Sequence, residues 1–375
     1  MFAAQFTVIG VMQPFLPPLF AARGVGPEAA GVLLAAGSVT RLLAGPPGGR
    51  LADAIGDARI VMAAGAALAA LAALGFLVAE GFWPLLLVSV TLAVVMAPGI
   101  PLADAMAGRA ARGGAGFDYG RVRSAGSLSF IAAAAAAGWV AERAGASAIA
   151  LVLAACFAAS AAAALLLPTP LRGEARRGGG GGFRDVLRIP AFRRLLPVSA
   201  LIQGSHALYY GFGAIHWQAQ GYSAFTIGLL WAGAVLSEFF LFLWGRRWVE
   251  RLGPVGLALL AATAGVLRWS VFAFDPGLPL LFAVNLLHAA TFGAMHLASI
   301  RVLAEHVPAP LAGTAQTLHA SLGVGVTMAA LTLACGPLYA ALGGSGYWAM
   351  AGLSVLGLIA AWRLSAALVY DRDGN

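Results

Sequence analysis

Long apolar runs alternate with short polar breaks along the whole chain. Charged residues, glycines and prolines make up the breaks, and most runs are close to the roughly 20 residues that a helix needs to cross a bilayer. The pattern predicts twelve spans, at 2–22, 28–50, 59–79, 84–107, 120–140, 146–167, 194–217, 224–245, 254–274, 278–300, 311–340 and 346–368.

Composition supports a membrane protein. Of the 375 residues, 61% are hydrophobic and 10% are charged, whereas a soluble domain carries about 25% charged residues. Twelve spans need about 240 residues, which leaves room for short loops and one linker. We therefore expect an all-α integral membrane fold without a separate soluble domain, which excludes most cytosolic enzymes.

One polar segment divides the chain in two. Residues 168–193 contain five consecutive glycines, 178–182, flanked by arginines. Such a composition is typical of a flexible basic linker. The predicted organisation is an N-terminal six-helix half at 1–167, the linker at 168–193 and a C-terminal six-helix half at 194–375.

The positive charges are distributed asymmetrically. All 23 basic residues are arginine; 19 lie on the side of the linker, Arg23 and Arg143 lie on the other side, and Arg41 and Arg268 lie inside spans. The positive-inside rule then predicts that both termini and the linker face the cytoplasm of a bacterial cell, across its inner membrane. The net charge of +8 thus sets topology, and we expect a lipid bilayer, a small-molecule substrate, a monomer and no nucleic-acid partner.

Several chemical functions are excluded. Without lysine the chain has no Walker A lysine, Schiff base or lysine general base, so ATP-driven transport by this chain alone is not expected. No HExxH motif occurs, no two acids share one span at helical spacing, and Cys156 and Cys335 lie in apolar runs that do not suggest a disulfide framework. We expect neither an enzyme nor a metal or organic cofactor, with protons as the coupling ion.

Charged and histidine side chains inside the predicted spans are the candidates for function. Each charge costs about 2.5 kcal/mol or more in a bilayer, so it needs a partner or a water-filled cavity. Arg41, His206, Glu238, Arg268 and His288 fall in the middle of their spans.

Glu238, Arg268 and His288 are the predicted proton-coupling residues. A lone mid-span carboxylate is poorly explained by packing alone, and its ionisation would respond to both burial and a nearby arginine. Arg268 is a fixed positive charge that either pairs with Glu238 or binds a substrate carboxylate. His288 and His296 lie within about 80° of each other on one helix, which suits proton transfer or substrate binding; satisfied core histidines are the alternative.

Other polar residues are predicted to bind substrate. Asp104 with Arg123, or with Arg121, forms either a structural ion pair near the cytoplasmic mouth or a substrate-binding pair. Arg41 also reaches the predicted cavity.

A third group lies on spans seven and eight. Gln203, His206 and Tyr210 recur at i, i+3 and i+7, and with Trp231 they line either an aromatic pocket or an ordinary helix contact. Trp217 is expected in an interfacial aromatic belt.

A loop motif between spans two and three resembles the signature of the major facilitator superfamily. It runs from Gly49 to Gly56, with Asp53 inside and Arg59 after it. Its glycines allow close helix approach, and Asp53 is suited to hold the cytoplasmic side shut by facing a helix N-terminus or an arginine. We predict a gating role for Gly49, Asp53, Gly56 and Arg59. The two six-span halves resemble the same superfamily.

Longer strings resemble the phenylpropionate permease family within that superfamily, which is related to lactose permease and nucleoside:proton symporters. They are Pro101 to Ala105, Tyr119 to Arg123 with Gly126 and Ser127, His216 to Ser223 with Glu238, His288 to Gly293 with His296, and Ala312 to Gln316. The resemblance implies proton-coupled uptake of a small organic substrate, for example an aromatic acid such as 3-phenylpropionate. The placement of Asp104 and Arg123 also resembles the acid and arginine of lactose permease.

Three alternatives remain at this level. They are a sugar or nucleoside symporter, a drug or metabolite:proton antiporter on the same fold, and a membrane sensor that does not transport.

The arginine distribution generates a topology prediction. Cysteines introduced at Gly180 and Gly221 should react with an impermeant thiol reagent from opposite sides of the membrane, and Gly221 should be the outer one. Labelling of both positions from the outside contradicts the twelve-span topology.

Overall fold

The fold consists of helices and short connections. A computed structural model describes the backbone of residues 1–112, 119–168 and 182–373, and the side chains of 1–107, 124–168 and 182–365. No strand occurs within these ranges. Before Pro168 the helices are α1 (Phe2–Ala22), α2 (Pro27–Ile55), α3 (Ala58–Leu74), α4 (Phe82–Met96), α5 (Gly99–Arg112), α6 (Tyr119–Ala144) and α7 (Ala148–Leu165).

The helices after residue 181 are shorter and more often interrupted. They are α8 (Phe183–Arg188), α9 (Pro190–Gly204), α10 (Ala214–Ala219), α11 (Ala224–Trp244), α12 (Arg246–Phe272), α13 (Leu278–Asn285), α14 (Met295–His306), α15 (Ala312–Leu318), α16 (Val326–Leu342) and α17 (Tyr347–Asp373). Three wide π-helical turns join consecutive helices, at Tyr209–Gly213, Ala289–Ala294 and His319–Gly325. Such turns are frequent at functional sites.

Each predicted span coincides with helical structure, but several boundaries differ. The predicted fourth span contains parts of both α4 and α5. Helix α12 starts before residue 254, and it is broken at Gly253, which has a φ of 63° and is followed by Pro254. Nine helical segments within the described ranges are long and apolar enough to cross a membrane, and one of them, Ala309–Ser365, covers two predicted spans. The count of twelve crossings remains a prediction.

Part of the predicted linker forms helical structure. The described end of the predicted linker is helical: it contains α8, and α9 begins inside it at Pro190. Val186 of α8 is fully buried in a core cluster with Phe192 and Leu195 of α9, because an apolar side chain gains by leaving solvent. The remaining linker residues, 169–181, lie outside the described residues.

Contacts divide the chain into two compact units. The first contains Met1–Arg176 and Tyr210–Ala232, and the second contains Arg177–Tyr209 and Gly233–Asn375. The segment Tyr210–Ala232 thus groups with N-terminal helices, although the sequence placed it in the C-terminal half. Trp217 in this segment is 2% exposed, so it is a core residue and not part of an interfacial belt.

Close backbone contacts explain this grouping in the first unit. A Cβ atom at Gly138 of α6 would lie 2.5 Å from the carbonyl oxygen of Ala224, and one at Gly228 of α11 would lie 2.4 Å from that of Ala134. Only glycine permits this approach, and small residues at helix contacts are the usual basis of helix association in membranes. At the same crossing, Glu142 Oε2 accepts a hydrogen bond from the Phe225 backbone N–H at 3.1 Å.

The core of the second unit consists mainly of small and aliphatic side chains. Fully buried members of one cluster come from α9, α12, α14 and α17: Leu195, Val198, Ala258, Ala261, Ala298, Val302 and Leu364. Alanines on α12 let the neighbouring helices approach closely. This packing positions α12 and the turn Ala289–Ala294, which carry the polar site described below.

The glycine contact between α6 and α11 is directly testable. Gly138→Ala should lower the thermal unfolding midpoint of the purified protein by about 3 °C or more, because an added Cβ overlaps a backbone carbonyl that cannot move freely. Gly37→Ala is the matched control, since Gly37 is also inside a helix but has no atom within 4 Å of the added Cβ. That control should be neutral or stabilising through helix propensity. Equal effects of the two substitutions contradict the packing argument.

Candidate functional site

A fully buried arginine lies at the centre of the second unit. Arg268 of α12 is 0% exposed. Its guanidinium carbon lies 4.6 Å from the ring centres of both Tyr209 and Trp269, and 5.4 Å from that of Phe272. Aromatic faces attract cations through their quadrupole, so these rings form a favourable apolar wall around the charge.

Neutral polar groups on one helix face accept hydrogen bonds from both terminal nitrogens of the arginine. Arg268 Nη2 donates to Asn285 Oδ1 at 2.7 Å, and Nη1 donates to His288 Nδ1 at 2.9 Å and to Thr291 Oγ1 at 3.1 Å. The three acceptors recur every third residue across the end of α13 and the π-helical turn. None of these three acceptors is a carboxylate. The positive charge is therefore stabilised here by hydrogen bonds to neutral polar groups.

These hydrogen bonds determine the proton position on His288. A guanidinium only donates, so Nδ1 of His288 accepts and Nε2 of the neutral ring carries the proton. That Nε2 lies 3.9 Å from Glu238 Oε1, which is close but too long for a hydrogen bond.

Hydrogen bonds also hold the ring of His206, the second histidine of this cluster. Its Nδ1 lies 3.2 Å from the carbonyl oxygens of Ile202 and Gln203, and its Nε2 lies 3.0 Å from Thr291 Oγ1. Carbonyl oxygens only accept, so Nδ1 donates and Nε2 accepts the Thr291 hydroxyl proton. Thr291 Oγ1 also lies 3.4 Å from the carbonyl oxygen of His288, and the shorter distance favours His206 Nε2 as the acceptor of its one proton.

Glu238 of α11 is the acidic member of this cluster. It is 9% exposed, and its Oε1 atom has no hydrogen-bond partner among the described residues. A side chain at Gly293 would lie 3.6 Å from Glu238 Cγ and 3.0 Å from Leu241, so this glycine allows α11 to approach the π-helical turn. Because a buried, unpaired carboxylate is costly when ionised, this arrangement favours the neutral form.

The structure thus brings together Glu238, Arg268, His288 and His206, the last of which the sequence placed in an aromatic pocket. His206 is instead fully buried in the arginine network. The predicted i, i+3, i+7 face does not continue to Tyr210, because α9 ends at Gly204 and the chain then enters the π-helical turn Tyr209–Gly213.

The remaining predicted aromatic and histidine residues lie elsewhere. Tyr210 and Trp231 stack in the first unit, with ring centres 5.8 Å apart and an interplanar angle of 28°. His296 is exposed and stacks on Phe292, with ring centres 6.3 Å apart; Phe292 in turn stacks on His288. His296 therefore contacts the network through the ring of Phe292.

Arg41 of α2, in the first unit, differs sharply from Arg268. It is half-buried, and its Nη2 donates to Ser38 Oγ at 3.3 Å. Within the part of the chain that the structure describes, it has no carboxylate partner. An arginine in the middle of a membrane span that has no carboxylate partner is suited to bind an anionic ligand.

The predicted pair of Asp104 and Arg123 is only half described. Asp104 lies on α5 and is partly buried. The side chains of Arg123 and Arg121 lie outside the described residues, so the pair remains a prediction.

The gating motif has a different ion pair from the expected one. Asp53 is exposed at the end of α2, Gly49 lies inside α2, and Gly56 ends α2 in the left-handed region with φ of 75°. Arg59 instead binds Asp57, with Nε–Oδ1 at 3.0 Å and Nη2–Oδ2 at 2.7 Å.

Asp57 and Arg59 also connect two parts of the first unit. The Arg59 side-chain hydrogen bond holds the pKa of Asp57 below its usual range, and Arg59 Nη1 donates to the carbonyl oxygen of Leu167 at 2.9 Å. The loop after α2 is thereby attached to the end of α7.

Sequence reasoning did not assign site roles to Asn285, Thr291, Tyr209 and Asp57. Thr291 follows His288 by three residues and Asn285 precedes it by three, which is a helical-face signal. The sequence pattern did not indicate Tyr209 or Asp57. Tyr209 contacts Arg268 through the face of its ring, and Asp57 caps the start of α3.

Comparison with known proteins agrees with this architecture. A family model described as the MFS_1 like family matches residues 1–349. A probable 3-phenylpropionic acid transporter of Escherichia coli K12 is 32% identical over 355 residues, which cover 92% of this chain and 91% of that protein. A maltose permease of Geobacillus stearothermophilus is 27% identical over 301 residues, covering 80% and 75% of the two chains.

Solved structures of transporters share the fold. A single-residue mutant of the nucleoside transporter NupG superimposes with a TM-score of 0.82 at 17% identity, over 98% of this chain and 97% of that one. A bacterial homologue of the human lysosomal transporter Spinster, in an inward-facing and unoccupied conformation, gives a TM-score of 0.75 at 15% identity, over 99% and 96%.

The relatives are transporters and not enzymes, which agrees with the multi-pass membrane protein that the apolar helices of this chain indicate. The resemblance that the sequence motifs indicated is therefore confirmed: the chain belongs to the MFS_1 like family of major facilitator transporters.

Proposed function

We propose that this transporter takes up a small aromatic carboxylate together with protons across the bacterial inner membrane, with both termini in the cytoplasm. The observation that carries the proposal is the buried carboxylate Glu238 beside a histidine and a caged arginine. The name of the Escherichia coli relative, 32% identical over 92% of this chain, supports an aromatic acid such as 3-phenylpropionate as the substrate.

Glu238 is the proposed proton carrier. Its burial disfavours the ionised form, so it holds a proton while its surroundings are dry. When water reaches it, the charged form is favoured and the proton leaves. Alternating access then couples proton release to substrate release, because the same opening serves both.

His288 and Arg268 modulate this step in the proposal. Arg268 fixes the ring of His288 through Nδ1, so the Nε2–H of His288 points to within 3.9 Å of Glu238. A small movement of α11 would convert this contact into a hydrogen bond that stabilises the carboxylate form. Arg268 is therefore a positioning residue for His288.

Arg41 is the proposed ligand for the substrate carboxylate. Arg268 is fully buried, with hydrogen bonds to three neutral acceptors, and it has no exposed surface for a ligand. Arg41 keeps some exposed surface and lacks a carboxylate partner among the described residues. A guanidinium binds a carboxylate through two parallel hydrogen bonds, which suits an aromatic acid.

Neutral substrates and proton antiport are the alternatives. A maltose permease is among the sequence relatives and a nucleoside transporter is among the structural neighbours, so sugars and nucleosides should be tested beside acids. Accumulation by energised membrane vesicles distinguishes uptake from export, and a sensor would show neither.

The first prediction here concerns coupling. Glu238→Gln mimics the protonated state, so it should abolish uphill accumulation of labelled substrate in energised vesicles while exchange between equal internal and external substrate continues. Glu250→Gln is the matched control, because Glu250 is exposed and pairs with Arg246. Full uphill accumulation by the Glu238 variant would mean that this carboxylate is structural, and His288 or Asp104 would become the next candidate.

The second prediction concerns the charge of the substrate. Arg41→Gln should weaken competition by phenylpropionate by about tenfold or more, equivalent to roughly 1.4 kcal/mol, and should leave competition by its amide nearly unchanged. Arg50→Gln, an exposed arginine on the same helix, should change neither. Equal competition by the acid and the amide in the unmodified protein removes the reason for an arginine ligand and favours a neutral substrate.

A further inference from the structure

An open groove on the second unit is separate from the polar site. It lies between α9 and α17 and has a volume of about 680 Å³, within the range typical of ligand sites. Its walls are apolar and include Pro197, Leu201, Leu356 and Ile359. Leu356 is 52% exposed and Ile359 is 46% exposed, so no described part of the protein covers them.

One end of the groove is strongly basic. Arg193, Arg194 and Arg363 line it, and Arg194 Nη1 donates to the backbone carbonyl oxygen of Arg363 at 3.1 Å. All three arginines are exposed, and none has a carboxylate partner among the described residues. The described lining contains no acidic side chain.

On both helices the arginines lie at the same end of the groove and the apolar residues lie at the other end. On α9 the chain runs from Arg193 to Leu201, and on α17 it runs from Leu356 to Arg363, so the basic ends of the two helices meet. Eight residues of helix correspond to about 12 Å. The groove therefore runs for about 12 Å, with its basic part at one end and its apolar part at the other.

An aromatic side chain marks the boundary between the two parts. Trp362 lines the groove and is 70% exposed. Tryptophan is enriched where a membrane protein meets the headgroup region. Arg193, Arg194 and Arg363 also lie on the side of the membrane that the positive-inside rule assigns to the cytoplasm.

We propose that this groove binds one anionic phospholipid of the cytoplasmic leaflet. The headgroup phosphate interacts with Arg193, Arg194 and Arg363, and an acyl chain lies along α9 and α17. Arginine matches phosphate oxygens with its planar fork of donors, and basic pockets between helices on the cytoplasmic side are suited to such headgroups.

Two features favour this occupant over others. A zwitterionic lipid would bring its ammonium group near three arginines with no acid to receive it. Free phosphate would occupy the basic end but leave the apolar walls uncovered. An anionic lipid satisfies both ends of the groove.

Occupation of the groove should stabilise the second unit. Next to it, α9 and α17 are in tight contact: a Cβ at Gly357 would lie 2.7 Å from Ile202 Cγ1 and 3.6 Å from Leu201 Cβ. A ligand bound to the native groove and not to the unfolded chain raises stability by mass action.

The test uses the full chain purified in a neutral detergent and titrated with dioleoylphosphatidylglycerol. Native mass spectrometry counts bound lipids, and dioleoylphosphatidylcholine is the comparison lipid. We expect one retained phosphatidylglycerol and a raised unfolding temperature. Replacing Arg193, Arg194 and Arg363 by glutamine should weaken this binding on the order of 100-fold, since each arginine near an anionic surface contributes about fivefold.

Two further variants make the result decisive. Replacing Arg246, Arg247 and Arg251 by glutamine removes the same charge outside the groove and should leave binding intact. Ala360→Phe keeps all arginines but fills the groove, and it should also abolish retention of the lipid.

Three results overturn the proposal. They are equal retention of phosphatidylcholine, equal losses in the two triple variants, and unchanged binding in the Ala360 variant. A fourth is displacement of the lipid by millimolar inorganic phosphate alone, because the apolar walls would then contribute nothing to binding.

Discussion

The buried cation Arg268 is the constraint around which the second unit is organised. A charge with no exposure must recover its lost hydration from the protein. Here the recovery comes from the aromatic faces of Tyr209, Trp269 and Phe272 and from neutral acceptors on the end of α13 and the adjoining turn. Any arrangement of α12 and α13 that separates these groups would leave the guanidinium unsolvated, so their relative position is strongly determined.

The wide turn Ala289–Ala294 follows from the same requirement. His288 and Thr291 both contact Arg268 Nη1, while Gly293 faces Glu238 of α11. A regular α-helix places successive residues at a fixed rotation, and a π-helical turn changes that rotation locally. The turn therefore lets one short segment face an arginine on one side and a carboxylate on the other.

The two units handle their polar residues differently. In the second, two histidines and the arginine are joined in one hydrogen-bond network through Thr291. In the first, Arg41 keeps some exposed surface, and close helix contacts form through Gly138 and Gly228. A caged cation suits control of a nearby proton, and an accessible cation suits a ligand. This contrast underlies the division of roles in the proposed mechanism.

The sequence by itself determined the helical membrane fold, the positions of nearly all helices and the family, because apolar run length and short motifs are local properties of the chain. It also identified Glu238, Arg268 and His288, since charged and histidine residues inside apolar runs are conspicuous. Tertiary structure alone decided that Arg268 bonds to neutral groups, that His206 joins it, that Asp57 pairs with Arg59, and that Trp217 is buried. The contacts of Arg268 and the burial of Trp217 depend on which helices pack together and on π-helical turns that shift side chains by a fraction of a turn. The Asp57–Arg59 pair depends on the backbone conformation at the start of α3.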